Sequence, residues 1–152
     1  MVNNIELSSY VNPYVYVAFI LLLPISMKPW LVVVISFLTG GVMDAFSSTP
    51  GLHILATNLM GYLRYFYLRA ATTKEDMEGI QVPSVSQKGI VWFAFYGFVM
   101  ILIHHTFLFF FEIYGFSEFF ATTFRVIMST LVSLLLIMTG QLLFYNVIRR
   151  GG

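Results

Sequence analysis

The first residue in this chain with chemistry to offer is an acid inside an apolar run. Asp44 lies in Gly40-Gly41-Val42-Met43-Asp44-Ala45-Phe46, 14 residues beyond Trp30. That is ~21 Å along a helix at 1.5 Å per residue. An acid at hydrocarbon depth costs about 2.5–3.5 kcal/mol on insertion scales, so it should face protein or water and have a partner. Two readings stay open: Asp44 caps backbone amides in the 47–49 turn, or it binds a partner or ligand. Ser36, Gly40 and Asp44 recur every four residues and share a helix face. Small residues at that spacing let a second helix approach closely. His53, Thr57, Gly61 and Arg64 form a similar stripe further on. A hairpin packed along the two stripes brings Asp44 to the His53 end, through a turn at Thr49, Pro50 and Gly51.

A second polar set comprises His104, His105, Glu112 and Arg125. His105 and Glu112 are seven apart, hence on one helix face. Glu112 and Arg125 flank the same short connection and are expected to pair across it. As a metal site the set lacks Glu-x-x-His spacing and a third histidine cluster. As a catalytic site it lacks a nucleophile beside a base. Packing and helix-to-helix hydrogen bonding is the expected role, with no catalytic residue, metal or cofactor. The aromatic run 107–111 reads as lipid-facing or interfacial, and Tyr62, Tyr65, Phe66 and Tyr67 read as a second interfacial belt.

The elements that must position these residues are membrane helices. Of 152 residues 59% are apolar, and only eight basic and seven acidic side chains are present. A soluble domain carries about a quarter charged residues, more than twice as many. Windows 7–27, 29–43, 45–63, 89–111 and 126–148 hold no charge at all. A spanning helix needs about 20 mostly apolar residues. The chain therefore reads as an all-α membrane protein, one polytopic domain over residues 1–152, a bundle of about five transmembrane helices. A soluble enzyme, a nucleic-acid-binding module (net charge +1, no basic patch) and a disordered tail are excluded. There is no cysteine, so no disulfide or thiol chemistry.

The first expected span is short, residues 14–23, bracketed by Pro13 and Pro24. The second covers 30–46. Thr49 reads as an N-cap followed by a first-turn proline, so the third starts near Pro50 and ends between Arg64 and Arg69. Residues 72–88, with Lys74, Glu75, Asp76, Glu78 and Lys88, form the one plainly aqueous stretch, an exposed loop. The fourth span covers 90–111, a connection 112–118 follows, and the fifth runs over 119–148.

Basic residues favour the cytoplasmic side. With the 72–88 loop and the C-terminus inside, Lys28, Arg64, Arg69, Lys74, Lys88, Arg149 and Arg150 lie inside and only Arg125 outside. Five spans then leave the N-terminus outside, ahead of a short first span. One further helix preceding Met1 in relatives resolves that awkwardness.

Several segments together resemble the rod shape-determining protein MreD family. They are Asn12-Pro13-Tyr14 leading to Leu21-Leu22-Leu23-Pro24, then Phe37-Leu38-Thr39-Gly40-Gly41-Val42-Met43-Asp44, and Thr49-Pro50-Gly51-Leu52-His53 with the helix to Arg64. His104-His105, Glu112 and Arg125 match more loosely. The resemblance implies a multi-pass protein of the bacterial inner membrane, normally of six helices, of which the first is expected to be missing here. It implies a non-catalytic component of the cell-wall elongation machinery. Its implied partners are MreC and, through the complex, MreB and the RodA glycosyltransferase with its transpeptidase. The rival reading is a vitamin-binding S-component of an energy-coupling transporter, also a small six-helix protein. It would need a ligand cavity lined by Asp44, His53, Arg64 or His104. An intramembrane enzyme fits least, because only one intramembrane acid is evident.

Overall fold

A computed structural model describes residues 14–78, 81–114, 116 and 118–151. Expectations placed on residues 1–13, including the Asn12-Pro13 lead-in, lie outside the described residues. Among the latter the chain is helical without strands: α1 (Val17–Leu21), α2 (Pro29–Ser47), α3 (Leu52–Ala71), α4 (Lys74–Glu78), α5 (Val85–Lys88), α6 (Ile90–Glu112) and α7 (Phe119–Arg150).

Three of these helices are long and apolar enough to cross a membrane: Pro29–Ser47, Ile90–Glu112 and the Phe119–Val147 part of α7. That is the signature of a multi-pass membrane protein. Helix α3 has 20 residues, yet His53, Asn58, Arg64 and Arg69 keep it below the same apolarity.

The long helices end for local reasons. Pro29 opens α2, where its missing N–H costs nothing. Ser48, at φ 55°, closes α2 in the left-handed conformation. Gly51, at φ 84°, carries the chain into α3; that backbone favours glycine, which has no Cβ to clash.

Two expected elements take other forms. The 14–23 segment is no spanning helix in its described part: α1 has five residues, ~7.5 Å of helix against a hydrocarbon core of about 30 Å. Pro24 cannot extend it. Instead Val17, Ile20 and Leu21 are fully buried against α2, α3 and α6, within a core shared with Val32, Met60, Phe93, Tyr96 and Met100. The 72–88 stretch is not simply an exposed loop. It contains α4 and α5, and Pro83, Ser84 and Val85 are buried. Val85 packs into the main core, its amide donating to Gln141 Oε1 at 3.4 Å. The Ile25 amide donates to Gln81 O at 2.8 Å, strapping this stretch to the chain after α1.

Helices α2 and α3 form an extensive hairpin; α3 packs on α6, and α6 on α7. The buried face of α2 is Val32, Ser36, Gly40 and Asp44, one residue per turn. On α7 the buried positions Thr122, Val126, Ser129, Thr130, Ser133 and Ile137 are mostly small or hydroxylic, which permits close approach to α6.

Candidate functional site

The hairpin joint is built around backbone, and glycine is what admits it. A Cβ on Gly40 would stand 2.6 Å from Ile54 Cα and 2.8 Å from His53 O. Two helices meet here with no side chain between them. At Gly61, a Cβ would collide with the Ser36 hydroxyl. Ser36 and Gly61 thus face each other across the hairpin, and Ser36 Oγ has no hydrogen-bond partner.

Asp44 sits at the top of this joint. Its Oδ1 accepts from Thr49 Oγ1 at 2.7 Å and from the His53 amide at 2.9 Å, and its Oδ2 accepts from the Ile54 amide at 3.0 Å. Those amides belong to the first turn of α3, whose N–H groups have no partner within the helix. The carboxylate also meets the positive end of that helix dipole. Thr49 is therefore not the N-cap the sequence implied. Gly51 occupies the cap position without a capping side chain, and Thr49 instead donates to the acid that does the capping from α2. Of the two open readings the geometry accounts for Asp44 as a cap, on α3's first-turn amides rather than those of the 47–49 turn.

Beyond the joint lies a buried polar cluster centred on Tyr16, a residue the sequence reading passed over. The Tyr16 hydroxyl lies 2.7 Å from His104 Nε2, 2.9 Å from His53 Nδ1 and 3.2 Å from Thr57 Oγ1. A phenol has one proton to give. At most one of the three accepts from it, so at least one imidazole must present its own N–H to Tyr16. Tyr14 completes the packing, its ring 5.0 Å from that of His53 and 5.8 Å from that of His105. His104 Nδ1 and His105 Nε2 are buried without partners. The clue in the sequence was the general need of a buried phenol for a polar partner.

Arg64 lies at the opposite end of the α3 stripe and is 2% exposed. Its Nε donates to the Tyr96 hydroxyl at 2.8 Å, and its Nη2 donates to the carbonyls of Leu21, at 3.5 Å, and Leu23. Tyr96 in turn donates to Leu21 O at 2.9 Å. Arg64 and Tyr96 together cap the end of α1.

The remaining expected residues separate into two places. His104 joins the Tyr16 cluster, whereas His105 turns to α7, with Nδ1 3.1 Å from Thr130 Oγ1 and its ring stacked on Phe109 at 5.4 Å. Glu112 and Arg125 form an ion pair at 2.9 Å, and the Arg125 guanidinium covers the Phe109 ring at 4.0 Å. His105 is buried and Glu112 exposed, so their spacing of seven does not bring them together. Among the described residues, no three His, Asp or Glu side chains converge as a metal site. No family model, curated protein or solved structure matches the chain.

Proposed function

We propose that this chain is a non-catalytic component of the bacterial cell-wall elongation machinery, a scaffold whose contacts are made through its membrane helices. The reading rests on the resemblance to the MreD family. The observation that supports it is the hairpin joint, because the residues that carry the resemblance are the ones that build it. Gly40 admits the α3 backbone, Asp44 caps α3, and Thr49, Pro50, Gly51 and His53 form the turn. A segment spent on holding two helices together at backbone contact suits a rigid docking element. In this reading the protein lies in the inner membrane, with α3 crossing it beside the three long apolar helices α2, α6 and α7. The C-terminus and the 72–88 stretch face the cytoplasm, and MreC is the direct partner.

A second reading, a small-molecule-binding subunit of an energy-coupling transporter, is favoured by the convergence of Tyr16, His53, Thr57 and His104. The Tyr16 hydroxyl already lies within hydrogen-bond distance of the other three, which weighs toward a packing role. Affinity purification of the full chain from membranes separates the two readings. Co-purification of MreC supports the scaffold; capture of an energy-coupling ATPase without MreC overturns it. For orientation, an impermeant thiol reagent applied outside should label Glu118→Cys and spare Ser86→Cys; the reverse pattern refutes the topology.

A further inference from the structure

Helix α3 packs between α2 and α6, two helices long and apolar enough to cross a membrane, and so lies at the depth they do. Its own polar residues divide between two faces. His53, Thr57 and Arg64 are buried and hydrogen-bonded within the bundle. Asn58 is not among the buried residues. It falls on the outward face with Leu55, Tyr62 and Phe66, three or four residues apart and each about half exposed.

That face holds polar groups with nothing to bond. Among the described residues the Asn58 carboxamide has no hydrogen-bond partner, and its Oδ1 is buried. Tyr62, one turn on, packs its ring on Phe66 at 5.1 Å, and its hydroxyl has no described partner either. In a helix running from Leu52 to Ala71, Asn58 stands ~9 Å and Tyr62 ~15 Å from the start. Hydrocarbon satisfies neither group, and an amide left unbonded there is costly. Amides at such positions bond across to a neighbouring helix.

We propose that the outward face of α3 is where two copies of this chain meet, α3 beside α3, with the two Asn58 amides bonded to each other. The membrane selects a second copy as the occupant. The one-sided placement of basic residues gives every copy the same orientation. A two-fold axis along the bilayer normal then sets each α3 residue opposite its own counterpart at one depth. An amide carries donor and acceptor together, and rotation about its last side-chain bond turns either one outward. Asn58 is thus its own complement. A helix of another protein would need a matching polar group at that one depth, whereas a second copy always presents it. Leu55, Tyr62 and Phe66 close around the pair, and an asparagine paired between parallel helices fixes their register.

The chain has no cysteine, so a single introduced thiol reports on a single contact. Leu55→Cys, one turn from Asn58, should form an interchain disulfide in membranes under mild oxidation. The two-fold axis brings residue 55 of each copy within the span of about 7 Å between Cα atoms that a disulfide allows. Leu135→Cys, exposed on α7, should stay monomeric. Adding Asn58→Leu to the Leu55→Cys chain should weaken self-association about tenfold, the order of a hydrogen bond between membrane helices. Asn58→Gln keeps the amide and should retain the association. Leucine suits hydrocarbon, so Asn58→Leu diluted to monomer in detergent should melt no earlier than the wild type. Earlier melting would give Asn58 a role inside the bundle and overturn the assignment. Equal cross-linking at residues 55 and 135, cross-links from 55 only to a different protein, or undiminished association of Asn58→Leu overturns it as well.

Discussion

The Asp44 carboxylate accepts the His53 amide at 2.9 Å across the turn between α2 and α3, so the last turn of one helix caps the first turn of the next. Removing that acid strips three donors at once. Asp44→Ala should destabilise the folded chain by about 1–3 kcal/mol, the cost of leaving buried donors unpaired. Asp44→Asn, which keeps one acceptor oxygen, should lose less. Denaturation of purified protein in detergent checks the order, and equal losses for the two variants would contradict the capping role.

Neighbouring glycines should respond oppositely. Alanine at Gly40 drives a methyl to within 2.6 Å of the Ile54 backbone, whereas at Gly41 the closest atom is Ile54 Cδ1 at 3.7 Å, ordinary contact. Gly40→Ala should cost about 1–3 kcal/mol, as overpacking does. Gly41→Ala should be neutral or gain up to about 1 kcal/mol from helix propensity. Matched thermal melts decide, and tolerance at Gly40 would show that the hairpin can open without loss.

Tyr16 ties α1 to α3 and α6 through one oxygen. Tyr16→Phe keeps the ring and leaves His53 and His104 without their shared partner, at an expected cost of about 1–3 kcal/mol. Hydrogen exchange of the Ile20 and Leu21 amides should quicken more than that of α7. Uniform quickening along the chain would argue that the hydroxyl is not a local tie.

The 72–88 stretch carries a pH dependence of known sign. Lys88, 2.5 Å away, together with the Thr73 amide and hydroxyl, holds the Asp76 carboxyl at about 2, down from 3.8. A lowered folded value means the contribution is complete above about pH 4 and disappears as pH falls through 2. At neutral pH, Asp76→Asn should speed amide exchange in α4, and near pH 2 the wild type should match the variant. Identical exchange at neutral pH would remove Asp76 from the account of this segment.

Much of the scaffold was legible because its signals are local. Helices α2, α6 and α7 begin and end within about two residues of the expected spans, since charge-free windows and breakers such as Pro29 and Gly89 mark them. The faces of Ser36, Gly40 and Asp44 and of His53, Thr57, Gly61 and Arg64 followed from three- and four-residue spacing alone. What was not legible depends on distant partners. That α1 is short and central reflects Arg64 and Tyr96 reaching its carbonyls. That Val85 is buried reflects α6 and α7 behind it. Tyr16 escaped notice because a tyrosine in an apolar run looks the same whether its hydroxyl meets two histidines or water.

The cap on α1 also sets an order of events during synthesis. The carbonyls of Leu21 and Leu23 precede Arg64 by 43 and 41 residues, and the Leu21 carbonyl precedes Tyr96 by 75. At about 5–20 residues per second, roughly 2–8 seconds separate the translation of Leu23 from that of Arg64. Throughout that interval α1 lacks the side chains that finish its C-terminal end. It cannot settle as an independent unit on leaving the ribosome, and it must wait, unseated, until α3 and then α6 arrive to enclose it.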